Sequence, residues 1–531
     1  MKNKFLFSLI LLLIFAAAVA QTPQSASQQP VPPAVASPQA SPAPSASPAQ
    51  RSPGPVASPS ASPMPQASPS ASPQVPHPQI ETEEAQEQPE KEHKLTPAEA
   101  KDLLKSVDEV LHWVSEDTLL PVKHSVKKKI VSREQVEKFI SDRFKNDVDR
   151  IRFERSELVL KKFGLLPREF DLHSFLIKLL TEQVAGYYDE KTKTMNLLDW
   201  VAPDMQKGVM AHELTHALQD QSFDLAKLAK REEEIEKRGL DDLRALLQND
   251  EQSTCRSAIL EGQGMVVLVD YELKPYGKSI ENSPQIVDLI QGTMEKDKSS
   301  PVFESAPLLL KEELMFPYRQ GMNFIKELLL SGGKKLAYEG VLENPPQTTR
   351  EILQPKEYLA HRRITPMFLP DVSFLKKDYE SYDAGAVGQL DVAILLKIFA
   401  SDAQANYLSP EWRGGAYFAA GRKGAKPTDK NSTGHIGLFY QSKWATVGAA
   451  QEFARIYASS LSQRYNGLQP QPTQTPGLEQ FNSTDGPIFI QQTGNLVMVS
   501  ESFDPASAKQ LIDTGLKQAQ AAGPEQAKAA D

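Results

Sequence analysis

The sequence predicts an α+β protein that is mainly helical, with a short β-hairpin before its central helix and a smaller C-terminal α+β unit. Three observations predict it. Apolar residues recur at helical spacing from Leu103 to Val114 and again from Cys255 to Val269. Between these runs, Val184 to Tyr188 and Thr194 to Leu198 read as strands around the turn Asp189-Glu190-Lys191-Thr192. Beyond Asp371, four short strand patterns are mixed with three helical ones.

The 531 residues are not uniform. Lys2 and Lys4 open the chain, Phe5 to Phe15 is apolar, and Ala18-Val19-Ala20 precedes Gln21, which is the layout of a secretory signal peptide over 1–20. The apolar run is short for a membrane span, so cleavage and export to the periplasm or beyond are expected, with an uncleaved signal anchor as the alternative. No cysteine stands near the cleavage site, which excludes a lipid anchor there. Residues 21–94 are rich in Pro, Ser and Ala and then acidic from Glu81 to Glu92; with almost nothing to bury they predict a disordered linker. Roughly 60 extended residues at about 3.1 Å each reach ~190 Å, enough for a stalk tethering a domain to the cell envelope. A helical domain is expected over 95–368, an α+β subdomain over 369–520 and a disordered tail over 521–531. The net charge of −9 comes without a basic stripe, which argues against nucleic acid as a partner. The single cysteine, Cys255, allows no intrachain disulfide and reads as a buried core residue.

Thr96-Pro97-Ala98-Glu99 predicts a capping box at the start of the first helix. Ser132 opens a helix towards Phe163 with Gly164 as its stop, and Asp171 caps another from Leu172 to Glu182. The basic run Lys123 to Lys129 between them reads as a solvated connection. Asp204 is the expected cap of the central helix. A charged helix follows from Lys227 to Arg238, then a long apolar one from Asp250 to Tyr271. Gly262 and Gly264 lie inside the latter and weaken it unless a second element must come close. Residues 275–360 predict helices broken at Pro301, Pro317 and Pro345-Pro346. Farther on, helices fit Val387 to Ala400, Ala445 to Arg464 and Pro505 to Gln518. Strands fit Ala416 to Ala420, Ile436 to Gln441, Pro487 to Gln491 and Asn495 to Ser500. Asn431 and Asn482 match the short glycosylation acceptor pattern.

The chemistry lies in His212-Glu213-Leu214-Thr215-His216. Histidines four apart on a helix share a face one turn apart and can offer two imidazoles to one metal ion. A catalytic zinc site has three protein ligands and one open position for water. Ala217-Leu218-Gln219-Asp220-Gln221 follows His216, so the HExxHxxGxxH extension is absent and the third ligand must come from elsewhere. His361 and His435 lie in unsuitable segments. Glu261 is the better candidate, because a carboxylate among Ile259, Leu260, Met265 and Val266 is costly to bury and metal coordination removes that cost.

HELTH with a later glutamate on a second helix resembles the gluzincin class of zinc metallopeptidases. More closely, HELTHALQDQSFDL followed by AILEGQG, and preceded by VAGYYDEKTKTMNLL, resembles a group of exported bacterial HExxH proteins with an HELxHALQDQ and AxxEG pair. The resemblance runs from Glu182 to Tyr271, continues more faintly through Phe316 to Gly321, Gly332-Gly333 and Pro345 to Tyr358, and touches Trp412 and Trp444. It implies a zincin-like fold, one catalytic Zn2+ held by His212, His216 and Glu261, Glu213 as the catalytic acid/base, and a peptide or protein substrate. The family pattern has a histidine where Gln354 stands. Glu213 would take the proton of a water and deliver it to the leaving amine. Asp220, one turn beyond His216, would orient a ligand imidazole or simply close the helix. Tyr187, Tyr188, Tyr318 and His361 are all candidates for an oxyanion donor. Two other readings stand beside this one: a zinc-containing cell-surface binding or scaffold module without activity, and a zinc amidase acting on cell-wall peptides.

Overall fold

The first helix starts where Thr96 caps it: Thr96 Oγ1 accepts from Glu99 N at 3.3 Å, and Glu99 Oε2 accepts from Thr96 N at 2.8 Å. The computed structural model describes residues 94–144, 147–183, 186–294, 300–425 and 432–521, all within one compact unit. The leader, nearly all of the linker, the Asn431 acceptor and the tail past Ala521 lie outside the described residues.

Helix α1 (Pro97–Thr118) buries Leu103, Val107, Val110, Leu111 and Val114. Strand β1 (Lys127–Val131) follows, where a solvated connection was expected. It lies at an edge and pairs in parallel with β3, so Lys127 and Lys129 stay in solvent while Val131 is buried. Lysine on an edge strand is compatible with pairing because its charge remains hydrated. The helix expected from Ser132 is present as α2 (Arg133–Phe144) and α3 (Asp147–Phe163), and Gly164 ends α3 with φ +72°. Asp171 caps α4 (Leu172–Gln183) by accepting from Ser174 N at 2.9 Å. The hairpin forms as β2 (Tyr187–Asp189) and β3 (Thr194–Leu198), giving the order β1-β3-β2 with β2 antiparallel on the outside.

The central helix, α5 (Pro203–Phe223), is buried from Gln206 to Asp220 with few interruptions. Its cap is Ala202, without a side-chain bond, and the expected cap Asp204 sits in the first turn instead. Pro203 accounts for the shift, since proline is best placed at the first helical position. Next come α6 (Leu225–Arg238) and α7 (Leu243–Leu273), then the short α8 (Ile286–Met294) and α9 (Pro301–Glu304). Helix α10 (Leu308–Lys334) runs through Pro317, where a break was expected. An interior proline costs about 3 kcal/mol. The burial of Leu314, Phe316, Tyr318, Met322 and Phe324 around it, at roughly 1.5–3 kcal/mol each, outweighs that cost. A π-helical turn (Lys335–Gly340) and the short α11 (Val341–Glu343), α12 (Thr349–Leu353) and α13 (Pro355–Leu359) complete this part.

The rest of the chain builds a seven-stranded antiparallel sheet in the order β4-β5-β6-β10-β9-β8-β7. Its strands are β4 (Tyr379–Ala386), β5 (Trp412–Arg422), β6 (Ile436–Trp444), β7 (Gln469–Gln471), β8 (Leu478–Ser483), β9 (Gly486–Thr493) and β10 (Leu496–Glu501). The helices here are α14 (Gln389–Phe399), α15 (Asp402–Leu408), α16 (Val447–Arg464) and α17 (Pro505–Ala521). Tyr417 and Ala419 of β5 face the main core, whereas Ala416, Phe418 and Ala420 face a second cluster containing Leu511 and Ile512 of α17. The main core is continuous across residue 368, joining both parts of the molecule. No described helix is long and apolar enough to cross a membrane.

Helix α7 is the spine. Asp250 Oδ2 accepts from Ala386 N of β4 at 3.0 Å, and Glu251 Oε2 accepts from Thr349 N of α12 at 2.8 Å. The glycines of α7 have the close partner their position requires. A Cβ on Gly262 would lie 2.3 Å from the carbonyl carbon of Gly321 in α10, and one on Gly321 would lie 2.1 Å from Ala258 O. Gly262→Ala and Gly321→Ala are each expected to lower stability by about 3 kcal/mol, read as a fall in thermal midpoint. Gly292→Ala in α8, whose Cβ meets nothing within 4 Å, serves as the control and should gain about 0.5 kcal/mol.

Farther along α7, Asp270 Oδ1 accepts from Ile280 N at 2.6 Å. Burial, with the Asp117 carboxylate adding to it, holds the Asp270 carboxyl up at about 7 against an ordinary value of 3.8. Because the folded value is the higher one, this group stabilises fully below 3.8 and its contribution is lost as pH rises through about 7. Asp270→Asn should therefore flatten the decline in stability above about pH 5, and exceed the parent by on the order of 2 kcal/mol at about pH 8, in denaturant titrations.

Candidate metal centre

Helices α5 and α7 bring three donor atoms together. His212 and His216 stand one turn apart on α5, and Glu261 faces them from α7. His212 Nε2 lies 3.1 Å from Glu261 Oε2 and 3.1 Å from His216 Nε2, and His216 Nε2 lies 3.5 Å from Glu261 Oε2. Ligands about 2.0–2.1 Å from a tetrahedral ion stand about 3.3 Å from one another, so the triangle has the edges a cation imposes. It is the one such group among the described residues. The sequence expectation for the three donors therefore agrees with their placement.

The ring of His212 is fully buried. It stacks near Tyr318 of α10, with centroids 6.4 Å apart, and meets His216 edge-on at 4.7 Å. Gly264 also lies against the ring, where a Cβ would approach the imidazole to 2.7 Å. The Nδ1 of His216 lies 2.8 Å from Gln219 Oε1, an oxygen that can only accept, so Nδ1 donates there and Nε2 is the ring nitrogen turned to the other two donors.

The electrostatics separate the two glutamates. Burial pushes up the carboxyl of Glu261, yet the His216 and His212 imidazoles outweigh it and hold the group down at about 2. Burial likewise opposes charge on His216, but the Glu261 carboxylate outweighs it and holds the imidazole up at about 9. Burial lowers His212, with Glu261 resisting. The carboxylate thus demands a positive charge among the three donors, which a proton or a metal ion can supply. Glu213 is held up at about 7 by burial, with His216 and the Tyr188 N–H pulling down and Glu261 pushing up. Its Oε2 accepts from Tyr188 N of the edge strand β2 at 2.8 Å.

Asp220 does not orient an imidazole. Its Oδ2 accepts from Tyr188 Oη at 2.8 Å and from Lys193 Nζ at 2.5 Å, and its Oδ1 accepts from Leu225 N at 3.1 Å. One helical turn past His216 turns its side chain towards the hairpin, and the position three residues on, Gln219, reaches the ring instead. Of the oxyanion candidates, the Tyr188 hydroxyl is taken by Asp220, Tyr187 stacks on Phe139 with centroids 4.5 Å apart, and His361 sits in a left-handed turn at φ 53°. Tyr318 alone stacks beside a metal-ligand candidate. Gln354 donates from Nε2 to Gln389 Oε1 at 2.7 Å and lines a cleft of about 280 Å³ that none of the three donors lines. Sequence reading missed Gln219 and the Tyr188 backbone N–H. The Ala-Leu-Gln that follows His216 was the available signal for the first.

No protein-family profile, curated protein or solved structure matches the chain. What defines its class is the α+β fold and a buried His/His/Glu group that could hold a metal ion. Gly264→Ala is expected to displace the His212 ring and weaken metal binding about 10- to 100-fold, measured by chelator competition, while circular dichroism keeps its helical signal.

Proposed function

We propose that the protein is an exported zinc-dependent metallopeptidase of a gluzincin-like, zincin-related kind. The observation that carries the reading is the donor triangle of His212, His216 and Glu261 with Glu213 beside it, its carboxyl pinned by the edge strand. Two imidazoles and a carboxylate at tetrahedral spacing suit zinc above harder cations. Held by these three residues, zinc would supply Lewis acidity for a scissile carbonyl and a water. Glu213 would act as general base towards the attacking water and return the proton to the leaving amine as the C–N bond breaks. The Tyr188 N–H fixes one carboxyl oxygen of Glu213 and so aims the other. The leader and the Pro-rich stalk in the sequence support export and tethering at the cell envelope.

A second reading, a zinc-containing scaffold without activity, is favoured by the closure of the site: the His212 side chain is 0 % exposed, Glu261 2 % and His216 14 %. Glu213→Gln separates the two. Wild type and variant are expected to carry one zinc per chain by elemental analysis, while the variant cleaves a peptide library about 10²- to 10⁴-fold more slowly. Cell-wall fragments assayed in parallel distinguish an amidase on peptide crosslinks. Stoichiometric zinc with no cleavage of protein, peptide or cell-wall fragment by wild type would sink the enzyme reading and leave the scaffold.

A further inference from the structure

We infer that Gln219 and Gln263 form a buried positioning relay through which the π-helical turn (Lys335–Gly340) sets the tautomer and orientation of His216, and with them the metal affinity of the centre. The inference rests on the metal-centre reading above.

The direction of the relay follows from the partners at its far end. Gln263 Nε2 lies 2.7 Å from Ala337 O and 3.2 Å from Tyr338 O, both in the π-helical turn. Two carbonyl oxygens can be met only by an NH₂ group, so the amide oxygen of Gln263 faces the other way. There it accepts from Gln219 Nε2 at 2.7 Å, while that same nitrogen also donates to Leu260 O at 3.1 Å. Gln219 Oε1 is left facing His216 Nδ1 at 2.8 Å. Reversing Gln263 would set oxygen against the two turn carbonyls and NH₂ against NH₂, and reversing Gln219 would set its oxygen against Leu260 O and Gln263 Oε1. Both side chains are 0 % exposed, so water cannot repair such a reversal.

Three carbonyl groups of the main chain therefore decide that an acceptor faces His216 Nδ1. Nε2 is directed at His212 Nε2 and Glu261 Oε2 as a consequence. The turn that provides two of those carbonyls is itself set by a break in α10, where Gly333 adopts φ 66° and ψ −171°. π-helical turns are uncommon and recur next to functional sites, which fits a turn whose carbonyls serve side-chain donors.

The test uses Gln263→Leu, with Gln263→Met as a second variant of matched length that also lacks the donor. Gln206→Leu is the control, because Gln206 is equally buried and bonded to main-chain carbonyls of Leu198 and Val201, away from the relay. Zinc affinity is measured by chelator competition on folded protein, and the Nδ1–H of His216 is followed by its ¹H and ¹⁵N shifts in the zinc-loaded protein. The relay predicts about 10- to 100-fold weaker zinc binding for the Gln263 variants, with the His216 Nδ1–H signal moving away from its hydrogen-bonded position. Gln206→Leu should lower thermal stability yet leave zinc affinity and the Nδ1–H signal unchanged. Wild-type affinity and an unchanged Nδ1–H signal in a folded Gln263 variant would overturn the relay while leaving the metal centre standing. A wild-type protein that binds no zinc would instead overturn the metal-centre reading itself.

Discussion

The contact between the backbones of α7 and α10 at Gly262 and Gly321 is the constraint on which the rest of the site depends. With no side chain between them, the two helices approach to van der Waals distance of main-chain atoms. That approach brings the π-helical turn at the end of α10 within reach of Gln263, and Tyr318 beside His212. Successive residues of a helix point about 100° apart, so the run Glu261-Gly262-Gln263-Gly264 addresses three neighbours. Glu261 faces the imidazoles, Gly262 admits α10, Gln263 reaches the turn, and Gly264 makes room for His212. Glycines that weaken an isolated helix are here the condition for packing it on three sides.

Charge inside this core is arranged in compensating groups. The Glu261 carboxylate is tolerable at 1 % exposure because two imidazoles face it, and Glu213 because burial keeps it near neutrality while a backbone N–H meets its ionised form. A comparable group joins the C-terminal sheet to α3. Arg464 pairs with Glu501 at 2.7 Å, Tyr457 donates to the same carboxylate at 2.7 Å, and Lys162 donates to Thr433 O at 2.9 Å and Ser502 Oγ at 2.7 Å. Burial holds the Lys162 ammonium down at about 8, the mark of a charge kept by its partners and not by water. Breaking such a set by removing one partner strands an ion in a dry interior and is strongly destabilising.

Much of the fold was legible along the chain. The capping box at Thr96, the stop at Gly164, the cap at Asp171, the hairpin before α5 and four of the C-terminal strands lie where local pattern puts them, because each depends on residues a few positions apart. Strands β4, β7 and β8 were not legible, and neither was β1, a lysine-rich segment that is a strand only because β3 lies beside it. Helix α10 passes through Pro317 for the same reason: its neighbours bury enough apolar surface to outweigh a local penalty.

By itself the sequence determined the chemistry available: two histidines one turn apart, a glutamate between them, and a later glutamate on an apolar helix that needs a partner for its charge. Helical periodicity and the cost of burying a lone carboxylate were sufficient for that. Tertiary structure alone decided that Glu261 closes the triangle, that Gln219 and not Asp220 holds His216, and that the Tyr188 N–H meets Glu213. Those three outcomes depend on the angle and separation of α5, α7 and the hairpin, and a hydrogen bond 2.8 Å long is made or lost by shifts smaller than any periodicity can resolve.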